Sequence, residues 1–182
     1  MSATNIKKVL FAKDMEDYVL MKRTKSVEDF ARELGFTKVN FLEEDFAALK
    51  GKSKKELLQE IQEAKKRKLK TLYKPESEDL LRFALEKTQV DMVYGMEQIH
   101  PKDSVHFVRG GLDQVLCAIA AERGKILAFS FSDILNSKDR SKLLARVMFN
   151  AKLCRKYKAS IALCSFASSK EEYLFSFELR VL

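Results

Sequence analysis

Short apolar runs of strand length alternate along this chain with longer segments of helical spacing, and that alternation limits the available folds more than any other feature. The runs cover residues 8–12, 38–42, 69–73, 90–95, 126–131 and 161–166 and have strand composition. Between them, 27–34, 54–68, 78–87, 112–123 and 138–157 repeat apolar residues at helical intervals. A β then α pattern, repeated about six times, implies a mostly parallel sheet with right-handed crossovers. At 182 residues and 46% hydrophobic, the chain has room for one real core. With two prolines, Pro75 and Pro101, and no low-complexity stretch, nothing marks a boundary, so 1–182 reads as a single domain. The last segment, SSKEEYLFSFELRVL, stops in helix-like sequence, and six units fall short of the eight of a closed β/α barrel. The expectation is α/β: repeated βα units forming an open sheet or an incomplete barrel.

Helix starts carry capping chemistry. A Ser hydroxyl followed three residues later by a carboxylate can satisfy orphan backbone donors, and Ser26 with Asp29, Ser53 with Glu56, and Ser168 with Glu171 fit that pattern. Ser77 precedes Glu78 and Asp79, which suit the positive end of a helix dipole. Gly35 and Gly124 sit where helix exits call for a left-handed residue.

Several function classes recede on composition. The first residues, MSATNIKKVLFAKDMEDY, lack an apolar run with a small-residue cleavage site, and no segment approaches the roughly 18 to 20 apolar residues of a membrane span. A soluble, cytoplasmic protein without a membrane partner is expected. Cys117, Cys154 and Cys164 are widely spaced in apolar stretches and read as reduced core thiols. There is no nucleotide-binding glycine loop and no nucleophile elbow. The two histidines, His100 and His106, share one loop, IHPKDSVHFVRGG, with Lys102 and Arg109; loop histidines that hydrogen-bond or stack are the simpler reading than a metal site. Glu97 and Asp133 follow strands and would be the acid or base candidates in an enzyme, but as caps or solvated charges they need no catalytic role.

The basic residues are more informative. Thirty-four Lys and Arg against 26 Asp and Glu give a formal +8, which favours an anionic partner. In SKDRSKLLARVMFNAKLCRKYK, Leu143, Leu144, Val147, Met148, Ala151 and Cys154 recur at core spacing. Lys138, Lys142, Arg146, Lys152, Arg155 and Lys156 fall largely outside that stripe, and only Asp139 opposes them. Such a helix could contact several phosphates, or could be a solvated face. Val108, Arg109, Gly110 and Gly111 lead into the next helix as either an anion cradle or a tight turn. Lys65, Lys66, Arg67, Lys68 and Lys70 end a helix, where cations suit the dipole without further explanation.

The stretch from VDMVYGMEQIHPKD to CSFASS resembles the central and C-terminal part of ribonuclease P protein component 3, the thirty-kilodalton subunit family, over nearly half the chain. The telling pieces are GLDQVLCAIAAERG into KILAFSFSDIL, then NSKDRSKLLARVMFNAKLCRKYK, then CSFASS. The resemblance implies an irregular TIM-like (PHP-related) barrel, kin to metal-dependent phosphoesterases, that serves as a noncatalytic subunit. In that family the RNA cleaves precursor tRNA to release the 5′ leader, and the protein pairs with a small α/β partner subunit. No cofactor is expected on this subunit, while Mg2+ is expected with the catalytic RNA. Relative to the family, the chain departs in an initial β/α unit and a final strand.

The leading expectation is a ribonucleoprotein subunit. It would use Lys102, Arg109, Lys138, Arg140, Lys142, Arg146, Lys152, Arg155 and Lys156 to neutralise phosphates of ribonuclease P RNA and precursor tRNA. Phe129 and Phe131 alternate in a strand and read as core, whereas Phe107 in the basic loop is the aromatic to test for stacking. The alternatives are a small metal-dependent phosphoesterase with Glu97, His100, His106 and Asp133 as ligands, and a protein-interaction scaffold.

Overall fold

The computed structural model describes residues 16–104 and 108–173. The strand expected at 8–12, together with His106 and Phe107, lies outside them. In chain order the elements are β1 (Glu16–Val19), α1 (Lys25–Glu33), β2 (Lys38–Phe41), β3 (Phe46–Leu49), α2 (Lys54–Lys66), β4 (Lys70–Tyr73) and α3 (Glu78–Lys87). There follow β5 (Met92–Tyr94), a 3-10 turn (Met96–Gln98), α4 (Gln114–Glu122), β6 (Ile126–Ser130), α5 (Phe131–Asn136), α6 (Arg140–Lys156) and β7 (Ser160–Cys164). No helix of the described residues is long and apolar enough to cross a membrane.

The strands form a five-stranded sheet in the order β3-β4-β5-β6-β7 and a two-stranded sheet β1-β2, and every pairing is parallel. A few backbone hydrogen bonds join the two sheets at their edges. Phe166 N–H donates to Tyr18 O at 2.9 Å and Leu20 N–H to Ala167 O at 2.8 Å, while Glu43 N–H donates to Phe46 O at 2.7 Å. β2 and β3 have no helix between them; the chain kinks through Glu43, at φ 65°. These joints are not ladders, so the strands do not make a closed barrel, which agrees with the expectation of an open or incomplete one.

Both faces of the large sheet are buried, which is why its strands read as apolar runs rather than alternating ones. Leu127 and Phe129 of β6 face the helices, packing with Leu57, Leu81, Leu85, Cys117, Leu143 and Cys154. Ala128, between them, turns the other way into a cluster with Tyr18, Phe46, Leu72, Met92, Cys164 and Phe166, drawn from β1, β3, β4, β5, β7 and the segment just after β7. Cys117, Cys154 and Cys164 are all buried, and none is in a disulfide.

Ser53 and Ser77 cap α2 and α3, accepting from Glu56 N–H at 3.2 Å and Leu80 N–H at 3.3 Å. Two other caps differ from expectation. Thr24, with extended backbone, caps α1 through Val27 N–H at 3.3 Å, so the helix starts two residues before Ser26 could cap it. Ser169, not Ser168, accepts from Glu172 N–H at 3.2 Å, and Ser168 donates its backbone N–H to the Glu172 carboxylate at 2.7 Å. Phe131 does not continue β6 but opens α5, buried among the helix-side core.

Candidate nucleic-acid interface

The C-terminal ends of β5 and β6 meet the first turns of α5 and α6, the position at which open α/β sheets place their ligands. Local capping fixes this corner. Ser130, the last residue of β6, accepts from Asp133 N–H at 3.0 Å and so converts strand directly into α5. Asp139 accepts from Lys142 N–H at 3.0 Å and starts α6. The result is an open cleft of about 410 Å³ whose lining includes Glu97, His100, Asp133, Lys138, Lys142 and Arg146.

On α6, residues at four-residue intervals clamp the loop that follows the 3-10 turn. Lys142 Nζ donates to Pro101 O at 3.0 Å, and Asn150 Nδ2 to Gly110 O at 2.6 Å. Between them Arg146 is 3% exposed. Its Nη1 donates to Glu97 O at 2.9 Å and His100 O at 2.7 Å, while Nε donates to Asp103 Oδ1 at 2.9 Å. Nη2 lies 2.7 Å from the same carboxylate oxygen. Asp103 also accepts from Arg109 N–H at 2.9 Å, and that bond, followed by Arg146, holds its carboxyl below the usual range. Arg146 is therefore spent inside the protein, which corrects its assignment to a phosphate-facing surface. The reason is non-local: the loop passes beneath the helix on the side that helical spacing leaves polar.

The other expected cations are exposed or half-exposed. Lys102, Arg109, Lys138, Arg140 and Lys142 stand around the start of α6 and its loop, with Arg140 Nε also donating to Leu135 O at 3.0 Å. Lys152, Arg155 and Lys156 belong to its last two turns. A helix of this length spans about 25 Å, so the charge forms two groups rather than one continuous face. Between the groups the helix is apolar outward: Leu144, Met148 and Phe149 are exposed, so Leu144 and Met148 are not the core residues that spacing suggests.

The glycines before α4 serve packing rather than an anion cradle. A Cβ on Gly111, at φ 81°, would lie 2.0 Å from Met96 O, and one on Gly110 would lie 2.2 Å from Asn150 Oδ1. The helix N-terminus beyond them already holds the Asp113 carboxylate, which accepts from Leu116 N–H at 2.7 Å.

Nor do the described candidate metal ligands, Glu97, His100 and Asp133, form a metal-binding group. His100 Nε2 faces Glu78 Oε1 at 2.6 Å, and Asp133 Oδ2 accepts from Lys74 Nζ at 2.9 Å and from Gln98 Nε2 at 2.6 Å. Glu97 is fully buried, with neither carboxylate oxygen hydrogen-bonded. Burial, reinforced by nearby Asp133, pushes its pKa up to about 7. Among the described residues no group of three His, Cys, Asp or Glu could hold a metal ion.

Comparison with known proteins agrees with the resemblance seen in the sequence. Over 96 residues the chain is 38% identical to ribonuclease P protein component 3 of Methanosarcina acetivorans. That match covers 51% of this chain and 36% of the relative, about a third of its length. A chain of a cryo-EM structure of archaeal ribonuclease P with mature tRNA shares the fold, with TM-score 0.58 and 16% identity, covering 98% of this chain and 82% of that one. No profile of a known protein family matches.

Proposed function

We propose that this chain is a noncatalytic protein subunit of ribonuclease P, supporting a catalytic RNA in removing the 5′ leader of precursor tRNA. The observation that carries the reading is the corner at the start of α6. There Lys138 and Lys142 line a cleft whose carboxylates are paired, capping or buried, exposed Lys102, Arg109 and Arg140 belong to the adjoining loop and helix start, and Arg146 holds the floor in place. Such a surface neutralises and positions phosphates. The Mg2+ that phosphodiester cleavage requires is assigned to the RNA. The ring of βα units, with strands from both sheets sharing one inner cluster, is read as an irregular TIM-like barrel.

Lys152, Arg155 and Lys156 extend RNA contact along α6. The exposed Leu144, Met148 and Phe149 between the two charged groups suit a protein neighbour, read as a small α/β partner subunit within a cytoplasmic ribonucleoprotein. The test is reconstitution with ribonuclease P RNA and the other subunits. Adding the chain is expected to raise the rate of leader removal from precursor tRNA, and a rate independent of the chain refutes the assignment.

A further inference from the structure

The end of the sheet opposite the cleft, where β4 to β7 begin, collects the C-termini of α2, α3, α4 and α6. Three of these helices end in the same hydrogen-bonded motif: Leu69 N–H donates to Ala64 O at 3.0 Å, Lys125 N–H to Ala120 O at 2.8 Å and Ala159 N–H to Cys154 O at 3.0 Å. That motif requires a left-handed residue one position earlier, where glycine is free of strain. The left-handed residue past α4 is Gly124, at φ 63°. After α2 and α6 it is lysine in both cases, Lys68 at φ 57° and Lys158 at φ 58°. Two strained lysines thus occupy equivalent corners, just before β4 and β7, about 14 Å apart at ordinary strand spacing.

They stand among exposed Lys66, Arg123 and Arg155, and most carboxylates of this end are already engaged: Glu43 with Arg67 at 2.7 Å, Glu86 with Lys87 at 2.9 Å, Glu44 and Asp45 with Arg23, and Asp91 with Thr71 at 2.6 Å, beside exposed Glu63 and Glu122. The exposed large apolar side chains of the described residues, Leu58, Val108, Val115, Leu144, Met148 and Phe149, belong to the helices and to the loop before α4, not to these turns. A lysine-rich surface without apolar anchors is unlike a protein interface core or a membrane-inserting face, and fits the phosphate backbone of RNA.

We propose that this strand-start end is a second RNA-binding face, contacting phosphates through Lys66, Lys68, Arg123, Arg155 and Lys158 independently of the cleft. The test uses the double variant K68G/K158G, with an RNA duplex of about 20 base pairs bound across a salt series. Glycine relieves both left-handed positions, so Tm stays the same or rises, while affinity falls several-fold and the log–log salt slope drops by about 1 to 2. The charge-only variant K66Q/R123Q, away from the strained positions, is expected to give a similar loss. Its effect adds to that of K138A/K142A in the cleft, so failure of one face is distinguishable from failure of the other. Unchanged affinity and slope in both K68G/K158G and K66Q/R123Q overturn the proposal. So does loss of binding to anionic vesicles or to polyglutamate with RNA binding intact.

Discussion

Replacing Arg146 with Ala separates a structural clamp from a phosphate contact. The guanidinium makes two hydrogen bonds to the carbonyls of Glu97 and His100 and a two-atom contact to Asp103, with its side chain 4% exposed and that of Asp103 29% exposed. Orphaned carbonyls cost about 1 to 1.5 kcal/mol each. Asp103 keeps the Arg109 N–H and water, so the lost contact to it adds less than the loss of a fully buried partner would. The two carbonyls alone cost about 2 to 3 kcal/mol, a large share of the roughly 5 to 15 kcal/mol that holds a domain folded. Urea unfolding at constant m measures it. Lys at 146 recovers less than half, because a single ammonium cannot span two carbonyls and a carboxylate as a planar fork does. Stability within about 1 kcal/mol of wild type, together with an RNA salt slope reduced by about 1, would refute the clamp and return Arg146 to the phosphate surface.

Three further outcomes follow from particular contacts. Glu97 titrates near pH 7 in the folded protein and near 4.5 unfolded, so the folded state binds the extra proton between those values and stability falls as pH rises through them. At about 1.4 kcal/mol per pH unit the loss is about 3 kcal/mol, and E97Q is expected to abolish it and to stabilise the protein at pH 8; parallel pH profiles for the two proteins contradict this. Ala at Gly111 meets Met96 O at 2.0 Å and is expected to cost about 3 kcal/mol or more by thermal melting, whereas Ala at Gly124, with open space but φ 63°, costs about 1 kcal/mol. Changing Leu144, Met148 and Phe149 together to Ser leaves Tm within about 2 °C, since all three are exposed, but weakens co-elution with the partner subunit; unaltered co-elution removes that patch from the interface.

The β–α alternation and most helix bounds are legible in the sequence because hydrophobic period and serine caps act locally. β3 hides in FLEEDFAAL, where Glu44 and Asp45 suggest a loop; in the structure both pair with Arg23, at 2.7 and 2.8 Å, so the kink carries its carboxylates on its surface. α5 hides behind the apolar continuity of β6. Its signal was present as Ser130 followed by Asp133, the same capping spacing that locates α2. The error on α6 has a different origin. Arg146 reads as solvent-facing by spacing and type, and Leu144 and Met148 as core. What reverses them is the packing of residues 99–104 and 108–111 under one side of the helix, where the bond from Arg146 to Asp103 closes over 43 residues. No local pattern encodes a contact of that separation. The candidate cations were legible one by one, but their division between two ends of the sheet follows from topology alone.

The measurement that bears most directly on the central claim is the salt dependence of binding to precursor tRNA and ribonuclease P RNA by wild type and by the K102A/K138A/R140A/K142A variant. If the corner at the start of α6 neutralises phosphates, the variant stays folded and its affinity falls. Its log–log slope is then expected to be shallower by about 2 to 4, with similar losses on both RNAs. Equal slopes for the two proteins would contradict the account and leave this corner without a role in RNA binding.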